Sequence, residues 1–145
     1  MEIRAFQDAD ESGVIELWGQ CDLLRPQNDP HTDIRRKLAV GPDLFLVGVL
    51  GNEIVATVMA GYEGHRGWIN YLAVSPPLQK QGYGHQIMEH AEKLLRARGC
   101  PKINLQVRTS NVQVIEFYRS LGFATDDVMS LGKRLVIDQP QQPQR

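Results

Sequence analysis

At 145 residues the chain has room for one ordinary domain, and its 42% hydrophobic and 23% charged residues let it bury a core and stay in water. Sixteen basic residues against seventeen acidic ones, a formal charge of -1, offer no overall electrostatic case for nucleic acid or an anionic membrane. No apolar run approaches the ~20 residues a membrane span needs, MEIRAFQDAD lacks the pattern of a secretory leader, and Cys21 and Cys100 match no metal or redox spacing and read as buried free thiols in a reducing cytoplasm.

In chain order, Glu2 to Phe6 reads as a short strand. Asp8 opens a helix, with Glu11 three residues on as in a capping box, and Val14, Leu17, Trp18 and Cys21 share one face. Leu23 to Asn28 reads as a loop. Asp29-Pro30 supplies a cap side chain and a first-turn proline for a second helix, which ends near Gly41-Pro42. LFLVGVL and IVATVMAGY are strand-like runs around Gly51-Asn52, a short hairpin signal. EGHRG is a second turn and leads into WINYLAV.

After a glycine-containing loop, Ile87, Met88, Ala91, Leu94 and Leu95 recur at helical spacing up to a stop at Gly99. INLQV is a strand. Asn111 caps a helix that carries Val114, Phe117, Tyr118 and Leu121 and closes at Gly122. FATDDVMSLGKRLVI predicts one or two final strands. DQPQQPQR, residues 138–145, predicts a disordered tail after a domain of residues 1–137. The fold class is therefore α+β: a mixed, mostly antiparallel central sheet with helices on both faces, in which the crossover from WINYLAV to INLQV makes those strands parallel neighbours.

The loop QKQGYGH holds the informative pattern. The first turn of a helix has backbone N–H groups without partners inside it, and its dipole favours negative charge. Leaving out side chains at Gly82 and Gly84 lets an anion approach those groups, so the loop reads as a phosphate cradle. A tight turn that only packs a helix onto a sheet would use the same glycines. There is no Gly-Lys-Ser/Thr and no Gly-x-Gly-x-x-Gly, which excludes two familiar nucleotide loops. His85, Glu89 and His90 lack zinc spacing, so no metal site is expected. Arg4, Arg25 and the cluster Arg35-Arg36-Lys37 read as exposed charges, and Trp18 and Trp68 as packing residues.

Gln79-x-x-Gly82-x-Gly84, placed after LAVSP and before an amphipathic helix, resembles the acetyl-CoA pyrophosphate loop of the GNAT superfamily of N-acetyltransferases, whose pattern is Gln/Arg-x-x-Gly-x-Gly/Ala. A second match follows in Asn111 to Phe123, where the family shows Asn, then Phe-Tyr, then Leu-Gly-Phe. The likeness spans about residues 2 to 137. CDLLRP, GHRG and ARGCPKI resemble the YpeA-type bacterial branch.

The resemblance implies the GNAT fold and an N-acetyltransferase that moves acetyl from acetyl-CoA, its cosubstrate, to a primary amine by direct attack in a ternary complex. It implies that Gln79, Lys80, Gln81, Gly82, Tyr83, Gly84 and His85 hold the pyrophosphate. Leu72, Ala73 and Val74 would offer backbone groups to pantetheine as a peptide adds to a sheet edge, and an amide near Leu72 would polarise the thioester carbonyl. Asn111 is expected as a cap that also faces the cofactor. Tyr118 is implied as the general acid for the departing thiolate, although periodicity alone makes it a core-edge residue. Ribosomal-protein acetyltransferases carry Leu-Glu-Val where this chain has Leu105-Gln106-Val107, and an amide is no base. Glu63, His65, Asp22, Asp29 or water remain for that step. The expected partners are acetyl-CoA and an amine of a small molecule or a protein, with no nucleic acid or membrane; homodimers are common in the family. A CoA-binding regulatory or interaction module with little catalysis is the alternative, supported by Gln106.

Overall fold

The computed structural model describes residues 1–139. Strand β1 (Glu2–Ala5) leads through a 3-10 turn at Asp8–Asp10 into helix α1 (Glu11–Gln20). Helix α2 (Pro30–Val40) is followed by β2 (Phe45–Leu50), β3 (Glu53–Tyr62) and β4 (Gly67–Val74), then α3 (Tyr83–Ala97), β5 (Ile103–Asn104) and α4 (Val112–Ser120). The strands lie in chain order across one five-stranded sheet, antiparallel except for β4 and β5, which run parallel as the crossover requires.

Each sheet face carries its own core. On one side, Ile87, Met88, Ala91 and Leu95 of α3 and Tyr118 of α4 pack on Leu46, Ala56, Val58 and Ile69. On the other, Val14, Leu17 and Trp18 of α1 and Ile34 of α2 pack on Phe45, Val47, Met59 and Ala73. The helical periodicity read from the sequence thus meets the sheet on both faces.

Local chemistry sets most boundaries. Asp29 accepts from the Thr32 amide at 2.9 Å with Pro30 in the first turn, as expected of a capped start. The box at the first helix lies one residue earlier than the Asp8–Glu11 reading. Asp10 reaches back to the Gln7 amide at 2.8 Å and also takes both nitrogens of Arg4 at 2.7 and 3.0 Å. That carboxylate is the better choice because it satisfies an amide and a guanidinium at once.

Several expectations are corrected. The final strands do not form: residues 121–139 hold no strand, and Val128, Met129, Leu131, Leu135, Val136 and Ile137 are exposed. Their composition has high strand propensity, but a strand needs a paired edge. The expected strand INLQV is reduced to Ile103–Asn104. Asp138, read as part of the tail, has a buried side chain; residues 140–145 of that tail lie outside the described residues. Arg35 and Arg36 are exposed as expected, and the basic residues are also paired. Arg4 holds Asp10, Arg35 holds Glu11 at 2.9 Å, Arg36 holds Asp33 and Asp138, and Lys37 donates to the Ala60 carbonyl. Trp18 is sealed in the core, whereas Trp68 stands 39% exposed. Cys21 and Cys100 are free thiols, half-buried rather than sealed.

Candidate active site

The site grows from a defect in the sheet. Strands β4 and β5 pair only at Gly67 with Ile103 and Trp68 with Asn104. Beyond that point Ala73 and Val74 keep their β3 side, opposite Thr57 and Ala56, and neither they nor Leu72 gain pairing from β5. The strand also bends: Tyr71 and Leu72 together stand opposite Val58, a bulge that increases local twist and turns backbone groups out of the ladder. Leu72, Val74, Leu105 and Val107 are partly buried and pack on the same apolar cluster as Tyr118.

The glycine loop follows β4 directly. Gln79 donates from its side-chain amide to the Val74 carbonyl at 3.0 Å, and Gln81 does the same to Pro77 at 3.2 Å. These two bonds close the loop against the strand end. The Cys21 thiol also donates to the Val74 carbonyl, at 3.3 Å, so that oxygen is already occupied. Lys80 and Gly82 both have positive φ, 65° and 91°, and Gly82 is the cap residue of α3. Left-handed residues of this kind aim neighbouring amides into one concavity, the geometry of anion-binding nests. The Gln86 amide bonds the Gly82 carbonyl at 3.1 Å, which leaves the amides of Tyr83, Gly84 and His85 at the open first turn.

The two glycines have different reasons. Gly82 needs its backbone conformation, and a Cβ there would meet nothing within 4 Å. Gly84 needs the space: a Cβ would stand 3.0 Å from the Phe117 ring. At Gly84 the structure adds a packing reason beside the expected room for an anion: the missing side chain lets α3 and α4 close together. Sequence spacing could not separate these roles, because both look like a glycine at a helix start.

Tyr118 is 8% exposed, with the Phe117 and Phe123 rings edge-on at 5.3 and 5.6 Å. Burial pushes its phenol up to about 12, so it is protonated at any ordinary pH. Among the described residues its hydroxyl has no hydrogen-bond partner, and the one sealed side-chain polar atom without a partner is Glu11 Oε1. His85 turns toward α4, with its ring edge-on to Phe117 at 5.4 Å and Nε2 3.3 Å from the Ser120 hydroxyl. Asn111 takes the cap position of α4, but its side chain forms no cap bond, contrary to expectation.

The carboxylates considered for proton removal are mostly committed. Glu63 accepts from the amides of His65 and Arg66 at 3.1 and 2.7 Å, and Asp29 caps α2 from a buried position. Asp22 and His65 are exposed. Gln106 donates to the Ser130 hydroxyl.

Strands β4 and β5 thus part beside a helix start whose first-turn amides are unpaired. The model of the acetyltransferase (GNAT) family matches residues 7–123. An acetyltransferase of Yersinia enterocolitica is 51% identical over 139 residues, covering 96% of this chain and 99% of that one. The fold is also similar to an aminoglycoside antibiotic 6'-N-acetyltransferase from Acinetobacter haemolyticus, at TM-score 0.71 and 18% identity over 93% of this chain and 99% of that one. A ribosomal-protein-S18-alanine N-acetyltransferase from Escherichia coli superposes at TM-score 0.69 with 21% identity, over 83% and 76% of the two chains. The chain belongs to the GNAT family of acetyltransferases, and acetyl transfer is its reaction.

Proposed function

We propose that the donor is acetyl-CoA and the acceptor a primary amine, joined by direct attack while both are bound. The observation that carries this reading is the parting of β4 from β5 beside a loop whose left-handed residues present amides at a helix start. A diphosphate suits the loop, because its charge is matched by unpaired N–H groups and by the helix dipole. The unpaired run Leu72 to Val74 suits an extended amide chain such as pantetheine, which would add along it as a strand does. The Val74 carbonyl is already taken, so the Leu72 and Ala73 backbones would carry most of that pairing.

In this reading Tyr118 faces the sulfur. A thiol has a pKa of ~8.5, more than three units below the buried phenol, so complete proton transfer from Tyr118 to a thiolate is uphill. Tyr118 therefore acts chiefly as a fixed hydrogen-bond donor to the charge growing on sulfur, and the released thiolate is protonated by solvent, since neutral pH lies below the thiol's ordinary pKa. The attacking amine must be neutral. With Glu63 and Asp29 committed to backbone amides and an amide at Gln106, we assign removal of its proton to solvent. Two unpaired thiols suit a reducing compartment, and we place the reaction in the cytoplasm. Among the described residues no helix is long and apolar enough to cross a membrane.

The test is thiol release from acetyl-CoA with a panel of small amines and amino-terminal peptides, alongside thermal melting with CoA. At a hundredfold excess over its Kd, CoA should add about 2.7 kcal/mol to stability, roughly 5–10 °C in a chain of this size. An unchanged melting temperature would overturn the donor assignment. CoA binding without turnover of any amine above hydrolysis would overturn the acceptor assignment.

A further inference from the structure

Tyr71 lies in a strand with φ of 51°. A bulky aromatic residue in the left-handed region is costly and persists only where its surroundings hold it there. Here they do so from several directions. The Tyr71 carbonyl accepts the Thr57 hydroxyl at 2.8 Å, and Thr57, sealed from solvent, accepts the Trp18 indole N–H at 2.9 Å. The Trp18 ring stacks on the Tyr71 ring at 3.9 Å. The Tyr71 hydroxyl donates to Asp33 Oδ2 at 2.6 Å. Arg36 donates to Asp33 Oδ1 at 3.3 Å and takes both oxygens of Asp138, at 2.6 and 3.1 Å. Asp138 also accepts the Asp29 amide at 2.9 Å. One polar chain thus runs from the end of the described protein through α2 to the bend in β4.

We propose that Tyr71 is a positioning residue for cofactor binding: its hydroxyl, anchored by Asp33, holds the β4 bend that keeps the backbone from Leu72 to Val74 open beside β5. This rests on reading that opening as the acetyl-CoA site. The physical link is short. Leu72 is the next residue in the bulge, so a change in the Tyr71 dihedrals rotates the peptide that joins them. Burial and the Asp33 carboxylate both push the Tyr71 phenol far up, so it remains a donor across the working pH range.

Calorimetric titration with CoA tests this. Tyr71→Phe keeps the ring stacked on Trp18 and removes only the hydroxyl bond; its CoA Kd should rise about fivefold, the scale of one lost hydrogen bond. Asp33→Ala should match it. Asp33→Asn, which still offers an acceptor, should stay within about twofold of wild type, and the double variant Tyr71→Phe/Asp33→Ala should be no worse than either single change, because both cut one link. Ile34→Val, in the core of the same helix, lowers the melting temperature without touching the chain of bonds and should leave Kd unchanged. Wild-type affinity in Tyr71→Phe, or effects that add in the double variant, would overturn the proposal while the donor assignment stands. Failure of the wild-type protein to bind CoA would overturn both.

Discussion

At residue scale, Tyr118 combines a buried ring with a hydroxyl that has no hydrogen-bond partner among the described residues. Replacement by Phe keeps the edge-on contacts with Phe117 and Phe123, so the fold should hold. Loss of a donor that acts mainly in the transition state should lower kcat by about a hundredfold, the lower end for such groups, with little change in KM for acetyl-CoA. Steady-state kinetics check this, and equal kcat in the two proteins would remove Tyr118 from the chemistry. The pH profile is a separate check. With the phenol raised to about 12 and the amine deprotonated by solvent, kcat/KM should climb tenfold per pH unit toward the acceptor's own pKa of ~10 for an alkylamine. An inflection between pH 5 and 8, abolished by Glu63→Gln or His65→Gln, would instead identify a base on the protein.

At the scale of elements, the glycine turn that opens α3 was legible because its signal is local: glycines at a helix start, preceded by a strand and followed by apolar residues at helical spacing. The reason for Gly84 was not legible, since it depends on Phe117, which arrives from a helix thirty-three positions later. The ion pairs of Arg4 and Arg36 were equally hidden. Nothing in RRK distinguishes a solvated face from a helix that grips Asp138, because the partner is remote in sequence. The Asp138 contact makes a prediction of its own. Its hydrogen bonds from Arg36 and from the Asp29 amide hold its carboxyl below the ordinary carboxylate range. A depressed folded-state pKa stabilises the protein above the unfolded value of ~3.9 and ceases to do so as pH falls through the folded value. Asp138→Asn should therefore melt below wild type at pH 7, and the gap should close in acid below about pH 4. A gap that persists undiminished to pH 3 would show that the carboxylate's charge is not what holds the segment.

For the whole molecule, the mixed sheet and the two helical layers follow from element order, and both apolar faces of the sheet are filled by the helices that periodicity predicts. What sequence order could not show is that β4 and β5 share only two residue pairs. Strand propensity continues through Leu105 and Val107, but pairing stops, and the resulting gap is where we propose the cofactor binds. The most direct test is the CoA Kd of Gly82→Val measured beside wild type. Nothing lies within 4 Å of the added Cβ, so the variant has room to fold, while the backbone must give up its φ of 91°. That conformation costs a branched residue about 1–3 kcal/mol, so CoA binding should weaken by about fivefold or more. A folded Gly82→Val protein that binds CoA as tightly as wild type would contradict the assignment of this loop to the cofactor.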